Sequence, residues 1–132
     1  MKLTLKYTFT KVAVLTYCMG ACVHLTVLVT GQPGNQMPDI AHWLVTLLAG
    51  YAGIGFIVNI KKTPFKGLGD KVIYGLVLFH LMSSALVHAY SIIWHTNDWL
   101  SAFSYSYSYF ALVYFVLFGY YSLRLDKRLN KQ

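Results

Sequence analysis

The 132-residue chain contains no glutamate and only four aspartates, and 11% of its residues are charged. A soluble domain of this size carries about 25% charged residues, so most of this chain avoids water. None of its long apolar runs holds a central Asp, Glu, Lys or Arg. That absence counts against a proton relay, which usually chains carboxylates with imidazoles. It also counts against a serine nucleophile, because a pair such as Ser84 with His88 has no acidic orienting group at its depth. No HExxH, CxxC or CxxCH motif is present, so no spaced ligand signature names a metal or haem site. The two cysteines, Cys18 and Cys22, lie four apart within one apolar run, a spacing poorly suited to a disulfide. They read as small apolar fillers. Cys22 and His24, two apart on a helix, face roughly opposite ways, which disfavours a Cys–His nucleophile. Internal repeats, linkers and composition shifts are absent too, so residues 1–132 form one domain.

What is present is apolar: 57% of the residues are hydrophobic. They fall into four runs over about residues 9–30, 40–60, 72–94 and 100–123. Each is long enough to cross a hydrocarbon core of ~30 Å at ~1.5 Å per residue. Backbone polar groups in lipid must satisfy one another, so four spans mean four helices. The runs are too long for strands and lack sustained alternation. Short connections make sequential helices antiparallel neighbours. The expected fold is an all-α membrane protein, an antiparallel bundle of four transmembrane helices. The fourth run opens on alternating Ser and Tyr from Ser104 to Tyr109, a strand-like pattern. It continues unbroken into Phe110–Leu117 and is read as helix, with Ser104, Ser108 and Ala111 as a small packing face.

A net charge of +7 does not point to nucleic acid, because the eleven basic residues cluster at the ends of apolar runs. Lys2, Lys6 and Lys11 stand at the start of the first run. Lys61, Lys62, Lys66 and Lys71 lie around the second loop, and Arg124, Lys127, Arg128 and Lys131 follow the fourth run. The loops at 31–39 and 95–99 have no Lys or Arg. Short basic loops stay cytoplasmic, so the expectation is an N-in/C-in protein with both termini cytoplasmic, placed in a bacterial inner membrane. Trp43, Trp94 and Trp99 fall at the opposite boundary, where indoles prefer to sit. Tyr120 and Tyr121 read as the cytoplasmic aromatic belt. The N-terminus loosely resembles a signal peptide ending at Cys22. Its apolar run continues through Val29, however, longer than the ~7–15 residues of a signal h-region.

The residues that break the apolar pattern are His24, His42, His80, His88 and His95. An ionisable residue inside a membrane helix marks a functional site by default. His24 stands six residues before Thr30 and His88 six before Trp94, each ~9 Å below the outer end; His42 stands ~4–5 Å past Asp39, and His80 ~12 Å deeper than His88. His80, Ser84, His88 and Ser91 share one helical stripe. His42, Thr46, Ala49, Gly50 and Gly53 share another, of small and polar residues that let helices approach closely. Tyr17, Gly20 and His24 share a third.

Two classes of function follow. In the first, a redox cofactor or metal sits among the imidazoles, for electron transfer or metal handling. His24 and His88, or the deeper His80, would ligate a b-type haem, with Tyr105 near it. Alternatively His24, His42 and His88, with Asp39 or Asp98 as a fourth ligand, would hold a Cu or Zn ion. Haem propionates usually seek cations, and the outer side offers none. In the second class the protein is a non-catalytic accessory or assembly subunit, or an immunity-type membrane protein, and the histidines are interhelical hydrogen-bond donors. The expected partners are the lipid bilayer, other membrane subunits or a second copy of the chain, with a quinone as a further candidate.

Overall fold

In the computed structural model the described residues are 7–31, 38–94 and 98–131, with residues 98–105 described by their backbone alone. Four helices follow one another: α1 (Thr8–Thr30), α2 (Asp39–Asn59), α3 (Leu68–Trp94) and α4 (Asp98–Leu129). A 3-10 turn at Ile60–Lys62 prolongs α2. All four helices are long and apolar enough to cross a membrane, as in a multi-pass membrane protein. The 23 residues of α1 alone rise ~34 Å.

The helix ends follow local chemistry. Gly31 closes α1 in the left-handed conformation at φ 67°, its N–H bonded to Val27 O at 2.9 Å. Glycine takes that backbone without the Cβ penalty other residues pay. Thr63 leaves the 3-10 turn in an extended conformation, as the residue before a proline, here Pro64, is steered to do. Two helices are longer than their apolar runs. α3 begins at Leu68 rather than near 72, taking Asp70 and Lys71 into its first turn, and α4 runs on to Leu129 rather than stopping near 123. Apolarity marks the stretch that matches a bilayer, whereas a helix continues while one face can still pack. Leu125 and Leu129, four apart, are both buried while the Lys127 between them is exposed. The Ser–Tyr alternation is helical throughout.

α1 packs along α4 and α2 along α3; α1 also lies against α2, while α3 and α4 touch over the thinnest of these seams. The core is lined by Phe9, Ala13 and Tyr17 of α1, Ala49, Ala52 and Phe56 of α2, Tyr74, Val77 and Leu81 of α3, and Ala111 and Phe115 of α4. At Gly55 a Cβ would come within 2.2 Å of the Phe9 Cβ, so only glycine permits this approach of α1 to α2. Tyrosine hydroxyls tie the helices through backbone carbonyls: Tyr17 donates to Val77 O at 3.3 Å and Tyr74 to Phe56 O at 2.5 Å.

At the basic end, Arg128 grips Asp70 with two bonds of 2.5 and 3.0 Å and also donates to Pro64 O. Tyr121 donates to Asp70 O at 3.2 Å. Tyr121 is therefore buried in the α3–α4 seam rather than part of an interfacial belt; the exposed Tyr120 faces outward. Outward faces are otherwise strongly apolar: Phe79, Phe110, Leu86 and Leu47 are 73, 72, 67 and 62% exposed. A water-soluble bundle turns such residues inward, so this surface suits lipid. Trp43 and Trp94 are exposed at the opposite end, Trp94 stacked on Tyr90. Cys18 and Cys22 are free and face outward as well.

Candidate functional site: a histidine cluster between four helices

The three stripes expected to face the bundle do so. His42, Ala49 and Gly53 of α2 are buried, and on α3 Ser91 is buried while His80, Ser84 and His88 are half-buried. On α1, Tyr17 is buried and Gly20 and His24 are half-buried. The helical period alone brings this about: residues four apart on neighbouring helices meet where the small residues admit close approach.

The closest pair is His42 with His88. Their Nδ1 atoms lie 2.7 Å apart, with ring centroids 4.9 Å apart and planes inclined at 46°. One ring nitrogen must carry the proton and the other accept it. His42 is 5% exposed, and its buried Nε2 has no partner among the described residues. Thr46, one turn on, donates to the His42 carbonyl at 2.9 Å. Asp39 lies in the first turn of α2, on its exposed surface.

His24 is held differently. Its Nδ1 lies 2.8 Å from Ser108 Oγ on α4, and its ring meets Tyr107 edge-on at 5.4 Å and Phe115 at 5.3 Å. His80 stands in an aromatic cage of Tyr17, Tyr114, Phe115 and Phe118, with centroids at 5.5, 4.9, 5.3 and 5.9 Å. Its buried Nδ1 has no partner among the described residues. The hydroxyls of Tyr114 and Tyr107 bond to each other beside it. His24 and His80 are linked through Phe115, which packs on both rings.

Of the residues singled out in the sequence, the structure thus brings His42 and His88 into contact and sets His24 and His80 nearby. Among the described residues, no three His, Cys, Asp or Glu side chains gather as a metal-binding group. His24, His42, His88 and Asp39 therefore do not form a single set of converging ligands. Phe115 packs on both His24 and His80 and occupies the space between them. His95 and the side chains of Asp98 and Tyr105 lie outside the described residues. Sequence reasoning looked to tyrosine hydroxyls as partners for the histidines. The partner of His24 is Ser108, and the signal was there: Ser108 lies on the small face of α4. The Tyr107–Tyr114 pair is seven apart on α4, two helical turns, and was equally open to reading.

No family model, curated protein or solved structure matches the chain.

Proposed function

We propose that this is a small multi-pass protein of a bacterial inner membrane, with both termini cytoplasmic. Its histidine-lined interior holds a transition-metal ion and serves metal handling or electron transfer within a larger membrane assembly. His42 and His88 are the ligands, with His24 and His80 as neighbours rather than ligands. The observation that carries this reading is the 2.7 Å separation of the two Nδ1 atoms. Two imidazoles on different helices aim their Nδ1 atoms at one another, one donating its N–H to the lone pair of the other; with that proton moved to Nε2 of the donor ring, both Nδ1 lone pairs would face one point. A metal ion with bonds of ~2.0–2.1 Å to nitrogen takes that place if the rings withdraw slightly.

An ion suits this interior better than a haem. A macrocycle between His24 and the deeper His80 would have to displace Phe115, which packs on both rings at 5.3 Å, and one at His24 would also have to break its bond to Ser108. A second reading, the accessory subunit, draws on the same bonds: His42–His88 and His24–Ser108 each join two helices, and such bonds are worth ~0.6–2 kcal/mol.

Elemental analysis with an absorption spectrum of the protein purified from native membranes separates the two. The metal reading expects stoichiometric metal that is lost in His42→Ala and His88→Ala and kept in Cys18→Ala. A folded, colourless, metal-free protein transfers the histidines to the accessory reading.

A further inference from the structure

Resting on the metal reading above, we infer that the ion is cuprous copper, held two-coordinate between Nδ1 of His42 and Nδ1 of His88. Three features of the site select it. The first is ligand number. Two nitrogens face one another at 2.7 Å, and among the described residues no third His, Cys, Asp or Glu joins them. His24 is engaged with Ser108 at 2.8 Å, and Asp39 is on the exposed surface of the first turn of α2. Zinc in proteins is almost always four-coordinate, and cupric ions favour a tetragonal set of ligands. Water is a poor substitute for the missing ligands at His42, which is 5% exposed in a helix apolar enough to cross a membrane.

The second feature is charge. Both ligands are neutral imidazoles; among the described residues no carboxylate or thiolate joins them as a ligand, and Asp39 acts on His42 only at a distance, from the exposed first turn of α2, so most of the charge of the ion is left unmatched. The cost of burying a charge grows with its square, about fourfold from a monovalent to a divalent ion. A divalent ion here lacks the carboxylate or thiolate that normally offsets this cost. A monovalent cation faces the smallest penalty of any metal ion.

The third feature is shape. Nitrogen atoms on opposite sides of an ion bonded at ~2.0 Å stand ~4 Å apart, so each ring need withdraw by only ~0.6 Å from its position. A filled d shell imposes no further geometry, so the cuprous ion accepts two opposed nitrogens. The same pair destabilises the cupric state, and the bound ion therefore resists oxidation by air.

The test is an anaerobic titration of the full-length protein in detergent, using Cu(I) in competition with a colorimetric Cu(I) chelator, beside equilibrium dialysis against Zn(II), Cu(II) and Ni(II). One Cu(I) per chain is expected, with no comparable uptake of the divalent ions. X-ray absorption of the unmodified protein should show two nitrogen neighbours, a measurement that needs no variant to fold. His42→Gln and His88→Gln should each weaken Cu(I) binding by more than the ~10–100-fold seen for residues that only support a ligand, while His24→Gln keeps the stoichiometry. Uptake of Zn(II) or Cu(II) without Cu(I), or a Cu(I) site with four neighbours, overturns the inference and leaves the metal reading standing. Uptake of no ion by folded protein overturns both.

Discussion

At the scale of single residues, His80 and His42 differ in what burial costs them. His42 is hydrogen-bonded to His88, whereas the Nδ1 of His80, buried among four aromatic rings, has no partner among the described residues. An unmet buried polar atom costs about 1–3 kcal/mol. His80→Phe keeps a flat ring in that cage and removes the unmet nitrogen. The variant should therefore unfold at a higher temperature than the parent in detergent and, on the proposed metal reading, take up as much metal as the parent. A variant that melts lower, or takes up less metal than the parent, would show that the imidazole has a partner or a ligand role that its surroundings do not reveal. Ser108 is fully buried and its hydroxyl meets His24 at 2.8 Å, so a substitution that removes the hydroxyl leaves a sheltered imidazole nitrogen without this bond.

At the scale of helices, the four spans were readable because lipid leaves so few choices: an apolar run of ~20 residues can only be a helix. The inward faces of α1, α2 and α3 were readable from the spacing of Tyr17 and His24, His42 and Ala49, and His80 and His88. What spacing does not convey is which residue on another helix stands opposite. The sequence separates Asp70 from Arg128 by 58 positions, and nothing local to either announces the pair. For the same reason the ends of α3 and α4 were set short, since the turns carrying these two residues are polar enough to resemble loops. Their pairing joins two sequential helices that otherwise touch little. The side chains are only 17 and 12% exposed, more sheltered than the surface pairs that contribute almost nothing. Arg128→Ala and Asp70→Ala should each destabilise the protein, and a double-mutant cycle should return a coupling of about 0.5–3 kcal/mol. Additive losses, measured by chemical unfolding in mixed micelles, would mean that the tie between α3 and α4 lies in Tyr121 and the aromatic seam instead.

At the scale of the whole molecule, the histidine cluster and the basic residues occupy opposite ends. His42 stands one turn from the start of α2 and His88 two turns from the end of α3, on the side that carries Trp43 and Trp94. The Asp70–Arg128 pair and the exposed Lys61, Lys62 and Lys66 occupy the other. In a membrane this polarity decides which compartment can exchange an ion with the site. In the proposed orientation, with the basic loops in the cytoplasm, the site would lie near the outer face and would meet an ion from outside the cell. Orientation can be read directly. Cys18→Ala and Cys22→Ala together remove the native thiols, which are free and exposed on α1. Gln36→Cys and Lys131→Cys can then be added singly. A membrane-impermeant maleimide applied to intact cells should label the cysteine at position 36 and reach that at 131 only after lysis. The opposite pattern would place the histidines at the cytoplasmic face, and the ion they meet would then be drawn from a reducing pool in which copper is already cuprous.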